Sequence, residues 1–369
     1  MSAIAEQVRD AYESRRALRI RGAGSWLDAG RPTRPAETLS LAAHRGIVEY
    51  VPGDLTMTAR AGTPLGDIVA ATREHDQWLP LDPWGGDEGT LGATISTGTA
   101  GPHALAMGLP RDVVLGMEFV TGAGAVIRSG GRVVKNVAGF DLTRLVVGAW
   151  GTLGVITEAT VRLRARPRET RTVAITISPH TLSELSTRLR ALPFVPLASE
   201  LINAIVAARR GLGARDVLLC RVGGNRKSVD GQLALLRDLG DTDTLGDDIW
   251  PALRTVETGL HAVWRWSHLP ARFAEMWRCA SDVAPDLGGV AAHGNPARGV
   301  LRVAANGTAE QLARAMTAFP GTLIIEKMPA AAWRLARSTV ADDAVSRSIR
   351  QKFDPRGILN AGIFGDAAA

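Results

Sequence analysis

The sequence predicts an α+β protein with two domains, of which the second carries an antiparallel sheet. The chain has 369 residues, which exceeds the usual size of a single hydrophobic core. Strand-like and helix-like runs alternate on both sides of the arginine- and proline-containing segment 164–171. Apolar residues make up 46% of the chain, which is typical of an ordered protein. We therefore expect one domain at residues 1–167 and another at 168–345.

Charge and cysteine usage exclude several classes of protein. The 43 basic and 37 acidic residues give a net charge of +6, and the arginines are scattered singly along the chain. A nucleic-acid-binding protein would concentrate its basic residues in a patch, so we expect no nucleic-acid partner. Cys220 and Cys279 have neither a CxxC spacing nor neighbouring histidines, so we expect no disulfide and no metal site.

The first residues and the hydropathy pattern predict a cytoplasmic protein. Residues 1–16 have the pattern of a charged helix rather than of a signal peptide. The sequence contains no uninterrupted apolar run of about 18 residues, the length that a membrane span requires. We expect no direct membrane insertion, and membrane association only through a partner.

Glycines follow the first predicted strand directly. In Gly22-Ala23-Gly24-Ser25-Trp26, two glycines permit positive φ angles and allow consecutive N–H groups to converge on an anion. This predicts a pyrophosphate-binding turn. The alternative is an ordinary glycine turn, because the dinucleotide fingerprint G-x-G-x-x-G is not completed and no clear helix follows.

Residues 79–101 combine apolar residues with many glycines and hydroxyl side chains. Glycines cost ordering entropy and buried hydroxyls need partners, so an ordinary core would avoid this composition. A large polar ligand lying against the backbone explains both features, and a long surface loop is the alternative.

The other elements of the first half have clear boundaries. We expect Thr63 to cap the helix that starts near Pro64, and a hairpin to turn at Gly122-Ala123-Gly124. The predicted strands are 17–21, 46–51, 56–61, 112–121, 125–128, a short one from Arg132 and 155–163, with a turn at Gly139 and helices ending near Arg16 and spanning 65–75 and 141–147.

The second half predicts a small α+β domain. Its strands and helices alternate at lengths that suit an antiparallel sheet. The predicted strands are 172–177, 217–222, 263–267, 299–304 and 322–326, and the predicted helices are 181–192, 229–239 and 272–280.

Five phrases in a fixed order now identify a family resemblance. They are RGAGSW (21–26), TLGATISTGTAG (90–101), RDVVLGMEFVTGAG (111–124), VVKNVAGFDLTRLVVGAWGTLGVIT (133–157) and FDPRGILNAGIF (353–364). Together they resemble the vanillyl-alcohol oxidase and para-cresol methylhydroxylase family. The resemblance implies a two-part FAD-binding domain, a smaller α+β cap domain with an antiparallel sheet, and a C-terminal segment, 346–369, that returns to the FAD domain.

The resemblance also implies which residues contact FAD. The first turn would hold the pyrophosphate, a second group would line the flavin and ribityl chain, a third would lie beside the adenosine half, and an asparagine would return from the C-terminus. These residues are Arg21, Gly22, Ala23, Gly24, Ser25 and Trp26; Asp87, Gly89, Thr90, Gly92, Thr94, Thr97 and Gly98; Gly151, Gly154 and Ile156; and Asn360. Relatives with a histidyl flavin carry histidine where this chain has Ser25, so we expect non-covalent FAD.

Two residues of the second half are candidates for catalysis. Oxidation of a 2-hydroxy acid needs a cation for the carboxylate and a base for the hydroxyl proton. Strand alternation places Arg265 opposite Trp264 and Trp266, so its guanidinium is free to face a pocket. His293, read as part of a loop, is the candidate base or hydroxyl ligand. Each has an ordinary alternative, namely a solvent-facing arginine and a lone loop histidine.

Within the family, residues 49–68, 130–145 and 148–157 are most similar to the E-type FAD subunits of bacterial glycolate oxidases. This similarity implies an FAD-binding subunit of a glycolate/D-lactate-type 2-hydroxy-acid dehydrogenase, which works with a sister FAD subunit and an iron–sulfur subunit. Two alternatives stay open: a self-sufficient FAD oxidase or dehydrogenase of another alcohol or hydroxy acid, and a structural FAD-carrying subunit without catalysis of its own. The longer histidine-rich cap motif of related dehydrogenases is absent, and Phe140 replaces a tyrosine that many relatives carry.

Overall fold

The computed structural model describes residues 3–34, 36–131, 140–319, 321–336 and 343–365. The strand predicted from Arg132 and the turn predicted at Gly139 lie outside the described residues, as does the start of the fourth phrase, residues 133–139. The described part combines helices with two large antiparallel sheets, which confirms the predicted α+β class.

The first half of the chain builds a five-stranded antiparallel sheet. Its strand order is β3-β4-β8-β6-β7, β1 pairs with β2 in parallel, and β5 pairs with β9. The predicted hairpin is confirmed, since β6 and β7 pair across the turn at residues 121–125. The strands are β1 (Leu18–Arg21), β2 (Glu37–Ser40), β3 (Ile47–Val51), β4 (Thr56–Arg60), β5 (Gln77–Trp78), β6 (Val114–Val120), β7 (Val126–Gly130), β8 (Val155–Arg162) and β9 (Arg164–Ala165).

The described residues of the first half form six α-helices, and two features of these helices differ from the prediction. Thr63 does not cap the helix that follows it; Pro64 holds that position, because the Thr63 hydroxyl donates to the carbonyls of Arg60 and Gly46 instead. The glycine-rich segment 79–101 contains a helix, which begins where the Thr90 hydroxyl accepts the Ala93 N–H. The helices are α1 (Ala3–Glu13), α2 (Leu65–Arg73), α3 (Leu91–Thr97), α4 (Ala104–Met107), α5 (Pro110–Val113) and α6 (Leu142–Val146).

The second half builds an eight-stranded sheet in which every neighbouring pair is antiparallel, as predicted. Its order is β13-β10-β12-β11-β15-β16-β14-β17. The strands are β10 (Glu169–Thr176), β11 (Ala198–Ile202), β12 (Val217–Gly224), β13 (Thr242–Leu245), β14 (Ala262–Ser267), β15 (Ala291–Asn295), β16 (Val300–Ala305) and β17 (Thr322–Lys327). The helices are α7 (Pro179–Arg190), α8 (Ala204–Arg209), α9 (Arg226–Arg237), α10 (Ile249–Arg254), α11 (Phe273–Val283), α12 (Ala309–Met316), α13 (Ala330–Trp333) and α14 (Ala344–Phe353).

The two faces of this sheet bury different kinds of side chain. One face, which includes Trp264 and Trp266, packs under α7, α9, α11 and α12 and is apolar. The other face packs against α8, α10 and Trp84 from the first half of the chain. Because side chains alternate along a strand, Arg265 lies on this second face, as the sequence predicts. The second face therefore meets the first half of the molecule.

The C-terminal segment returns to the first strand of the chain. The Leu18 N–H donates to the Ile358 carbonyl at 2.7 Å, and the Asn360 N–H donates to the Leu18 carbonyl at 2.8 Å. A bridge between Leu18 and Leu359 continues this contact in parallel. The last described residues therefore form part of the wall beside β1. Among the described residues, no helix combines the length and apolar character of a membrane span.

A tight backbone contact at Gly62 gives a stability prediction. A Cβ at this position would lie 1.9 Å from the Leu41 carbonyl oxygen and 2.7 Å from the His44 carbonyl oxygen, and backbone atoms cannot move aside cheaply. Gly62→Ala should lower the thermal unfolding midpoint by several degrees, since overpacking of this kind costs about 1–3 kcal/mol. Gly53→Ala is the matched control, because nothing lies within 4 Å of its added Cβ. Equal midpoints for the two variants would contradict the packing described here.

Candidate functional site

A cavity of about 100 Å³ opens where β1, α3, the turn before β8 and the C-terminal segment meet. Thirteen of the predicted cofactor residues line it. They are Arg21, Gly22, Ala23, Gly24, Ser25, Trp26, Thr90, Gly92, Thr97, Gly151, Gly154, Ile156 and Asn360. We call this the cofactor cavity. The structure thus brings together residues from four separate stretches of the sequence.

The backbone of Gly22 to Trp26 offers a run of free donors to this cavity. None of these five consecutive N–H groups donates a hydrogen bond to another residue in the described part of the chain. Partly buried N–H groups without partners are rare, because each costs desolvation free energy. Gly24 has φ +90°, which turns the chain so that successive N–H groups point inward. This geometry suits an anion such as a pyrophosphate.

The glycine-rich turn packs closely on the residue that begins α3. A Cβ on Gly22 would lie 2.4 Å from the Thr90 Oγ1. Glycine at this position therefore allows the turn and α3 to share one wall of the cofactor cavity. Thr90 is only 2% exposed, so it has little room to move away.

Asn360 fixes two walls of the cavity to each other. Its Oδ1 accepts the Ile20 N–H at 2.9 Å, and its Nδ2 donates to the Trp150 carbonyl at 2.7 Å. Trp150 has φ 54°, a left-handed conformation that is costly for a tryptophan and that persists only when neighbours hold it. Asn360 is therefore a clamp between β1 and the turn that contains Gly151.

Four predicted cofactor residues lie outside this cavity. Asp87 forms an ion pair with Arg254 of α10 at 2.8 Å, which links the two halves of the molecule. The Thr94 hydroxyl donates to the Thr90 carbonyl at 3.0 Å within α3. Gly89 accepts the Leu65 N–H at the start of α2. Gly98 ends α3 with φ +66° and lines a second cavity.

The second cavity, which we call the cap cavity, has a volume of about 30 Å³ and lies between α3 and the second face of the eight-stranded sheet. Thr97 lines both cavities, so the two adjoin at the end of α3. The lining residues are Trp84, Thr97, Gly98, Thr99, Ala100, Gly101, Leu109, Glu200, Arg265, Asn295, Arg298, Val300, Arg302 and Glu326. A cavity of this size suits a ligand of few heavy atoms.

A row of alternating charges lies along the second face of the sheet, and four of its members, Glu200, Arg302, Glu326 and Arg265, line the cap cavity. Neighbouring strands place His293 beside Arg302 and Arg302 beside Arg265 in register. The ring of His293 contacts Glu200 through Nδ1 at 2.9 Å and Glu257 through Nε2 at 3.0 Å. Arg302 binds Glu257 at 2.6 Å and Glu326 at 2.7 Å, and Arg265 contacts Glu326 at 3.2 Å. The charge row is Glu200, His293, Glu257, Arg302, Glu326 and Arg265.

Burial and pairing push the pKa values in this row apart. Burial alone would lower the pKa of His293, but its hydrogen bonds to Glu200 and Glu257 outweigh burial and raise it. Burial would raise the pKa of Glu257, but the charges of Arg302 and His293 hold it well below its usual range. Burial raises the pKa of Glu200, because His293, Arg298 and Arg302 offset it only in part. Glu200 therefore binds a proton more readily than Glu257 does.

Two arginines present free N–H groups to the cap cavity. Arg265, predicted as the cation for a substrate carboxylate, is 32% exposed and uses only its Nε for Glu326. Arg298, in the turn between β15 and β16, has no side-chain hydrogen bond or ion pair with any described residue, and burial lowers its pKa. Arg298 was not among the site residues predicted from the sequence.

His293 differs from its prediction in both position and surroundings. It lies in strand β15 rather than in a loop, its side chain is fully buried, and it does not line either cavity. Both ring nitrogens face carboxylates, so the ring has no free lone pair to offer a substrate. This geometry does not suit a catalytic base.

Glu200 was not among the residues predicted from the sequence. Its single charge within the apolar run 197–206 is the feature that could have marked it as a site residue.

Comparison with known proteins identifies the cofactor class of the first half of the chain. Residues 1–130 match the family model of an FAD binding domain. The chain carries an FAD-binding domain. It is 47% identical over 167 residues to glycolate oxidase subunit GlcE of Escherichia coli (strain K12), which covers 45% of this chain and 47% of that relative. It is 38% identical over 154 residues to glycolate oxidase subunit GlcD of Bacillus subtilis (strain 168), covering 42% and 33%. The chain thus matches less than half of each of these relatives.

The solved structure of p-cresol methylhydroxylase with substrate bound has the same fold, with a TM-score of 0.75 at 17% identity over 98% of this chain and 86% of that chain. This confirms the predicted fold, and together with the FAD binding domain matched over residues 1–130 it confirms the expected resemblance to the vanillyl-alcohol oxidase and para-cresol methylhydroxylase family. The described residues fit FAD, because the free N–H groups of Gly22 to Trp26 provide an anion site for its pyrophosphate. Among the described residues, no group of three or more His, Cys, Asp or Glu side chains is arranged to hold a metal ion.

The close approach of Gly22 to Thr90 gives a prediction of how a substitution at Gly22 changes the affinity for FAD. In Gly22→Ala the new methyl group would clash with the Thr90 Oγ1 and displace the free N–H groups, so the Kd for FAD should rise at least tenfold, or about 1.4 kcal/mol. Titration of apoprotein with FAD, followed by flavin fluorescence, measures this. Gly231→Ala in α9 is the control, since nothing lies within 4 Å of its added Cβ. An unchanged Kd in Gly22→Ala would show that the turn does not bind the cofactor.

Proposed function

We propose that this chain is the FAD-binding subunit of a glycolate/D-lactate-type 2-hydroxy-acid dehydrogenase complex. The observation that carries the proposal is the cap cavity, which adjoins the cofactor cavity at Thr97 and presents the guanidinium groups of Arg265 and Arg298. The substrate class agrees with the printed names of relatives that match the FAD-binding half, glycolate oxidase subunits GlcE and GlcD.

The size of the cap cavity and its two arginines suit a small monoanionic substrate. The cavity volume of about 30 Å³ leaves little room for a long-chain alcohol. A guanidinium group meets a carboxylate through two parallel N–H donors. Arg298 offers such a pair without first breaking an ion pair, and Arg265 offers its two Nη groups while Glu326 holds its Nε.

FAD supplies the acceptor of a hydride from the substrate's α-carbon when it is bound in the cofactor cavity. The chain's own residues would hold the cofactor by the 22–26 backbone and orient the acid from the cap. We propose non-covalent binding, because no histidine, cysteine or tyrosine from the described residues lines the cofactor cavity. We also propose that the FAD domain spans residues 1–167 and 346–369 and that the cap spans 168–345.

Electrons would leave this chain through partners. Cys220 and Cys279 are both free thiols, and Cys220 is buried, so two cysteines cannot supply the four thiolates of an ordinary iron–sulfur cluster. We propose a sister FAD subunit and an iron–sulfur subunit as partners. The relatives named as glycolate oxidase subunits support a multi-subunit assembly.

Anaerobic reduction of the flavin by glycolate and D-lactate tests this function. Wild-type protein, alone or with its co-purifying partners, should lose the yellow absorbance of oxidised FAD. Arg298→Ala should raise the apparent Kd for the acid roughly 10- to 100-fold, because a hydrogen-bonded charge contact is lost. Arg190→Ala removes an exposed arginine from the last turn of α7 and should leave the Kd unchanged.

The outcomes separate the competing functions. Bleaching of the isolated chain by either acid supports catalysis on this subunit, and bleaching only in the presence of partners supports the complex. Bleaching by another alcohol or hydroxy acid alone would favour a self-sufficient enzyme of different specificity. No bleaching in any state would overturn the proposal in favour of a structural FAD-carrying subunit.

A further inference from the structure

Glu200 combines deep burial with one unused acceptor oxygen. Its side chain is 4% exposed, and it lies in the middle of β11 and lines the cap cavity. Its Oε1 contacts the Nδ1 of His293 at 2.9 Å. Its Oε2 accepts no hydrogen bond from any described residue. Oε2 is not one of the enclosed side-chain atoms that lack a partner, so it keeps access to the cavity that Glu200 lines, and a ligand there can donate a hydrogen bond to it.

His293 holds this carboxylate in place. The ring of His293 is fixed on its other side by Glu257, which in turn binds Arg302 at 2.6 Å, and Trp84 covers the ring with a centroid separation of 4.2 Å. Two flanking carboxylates favour the imidazolium form, so the Nδ1–H donates to Glu200. A protonated ring cannot take a further proton. The proton-accepting atom that faces the cavity is therefore on the carboxylate.

We propose that Glu200 is a catalytic residue that accepts the hydroxyl proton of the substrate through Oε2, and that His293 is a positioning residue. This inference rests on the proposed oxidation of a 2-hydroxy acid. The α C–H bond breaks and its hydrogen leaves with both electrons to FAD. The O–H bond breaks, its proton forms a bond to Oε2, and the freed oxygen electron pair completes the C=O bond of a 2-oxo acid. The substrate loses two electrons and FAD gains two.

The surroundings of Glu200 give the sign of the pH dependence. Glu200 faces His293, Arg298 and Arg302, and Arg298 also faces Arg265 and Asp82. Burial raises the pKa of Glu200 despite these cations, and only the ionised carboxylate can accept a proton. The rate of flavin reduction should therefore increase as pH rises through the pKa of Glu200, at a midpoint above the usual value of about 4.3 for glutamate.

Stopped-flow anaerobic reduction of the FAD-loaded protein tests the inference, with partners added if the wild type needs them. Glu200→Gln should slow reduction by at least about 100-fold and abolish the rising limb of the pH profile. Glu200→Asp should keep that limb at a reduced rate. Oxalate, a two-carbon anion that has no C–H bond and so cannot be oxidised by hydride loss, should still perturb the flavin spectrum of Glu200→Gln with a Kd within about threefold of wild type at pH 8, which separates chemistry from folding and binding. Glu310→Gln, at an exposed position in α12, is the control.

Three results would overturn the inference, and one of them would also overturn the proposed function. If glycolate and D-lactate bleach the wild type and Glu200→Gln at the same rate with the same pH profile, Glu200 does not accept the proton and the inference alone fails. If they bleach no form of the protein, the proposed function fails and takes the inference with it. Loss of oxalate binding in Glu200→Gln would also overturn the inference, since it would show a binding or structural role.

Discussion

Five charged side chains beside one face of the eight-stranded sheet are almost withdrawn from water, and their need for partners constrains much of the molecule. They are Glu200, His293, Glu257, Arg302 and Glu326. A buried charge without a partner costs several kcal/mol, so Arg302, which is 3% exposed, must keep both Glu257 and Glu326 in place. The register of β14, β15, β16 and β17 brings these residues together. Glu257 comes from the turn after α10, so the helices on this face are positioned by the same network.

The FAD-binding half meets this network at α3 and Trp84. Trp84 packs on His293 and lies under the Arg302 guanidinium at 5.3 Å. The ion pair of Asp87 with Arg254 and the contact of Lys327 with Asp28 hold the two halves together around it. These contacts give the predicted residue Asp87 a role at the junction rather than in the cofactor cavity. They also explain why a small polar cavity persists between two large apolar cores.

Local patterns made much of the fold predictable. The glycine turn at 22–26, the hairpin at 121–125 and the alternation at Arg265 each follow from short-range backbone rules, and the structure agrees with them. The family resemblance supplied Asn360 and Gly151, which no local rule connects, because their contact depends on the return of a distant C-terminal segment.

The cap site was less predictable. Strands β11 and β15 escaped detection because polar residues interrupt their apolar runs, at Ser199 and Glu200 in one and at His293 and Asn295 in the other. These same polar residues lie at or beside the cap cavity. Only the cross-strand register shows that Glu200, His293 and Arg302 are neighbours, and a sequence pattern carries no information on which distant strands pair. Arg298 was not predicted for the same reason, because the role of an arginine in a turn depends on the cavity that it faces.

In the proposed complex, the carboxylate of one small substrate lies between the flavin and the charge row. A crystal structure of the FAD-loaded protein with oxalate tests it most directly. The account predicts that the pyrophosphate contacts the 22–26 backbone, that the flavin ring reaches Thr97, and that an oxalate carboxylate contacts Arg298 or Arg265 in the cap cavity. Oxalate bound elsewhere, or a flavin ring that does not approach Thr97, would contradict it.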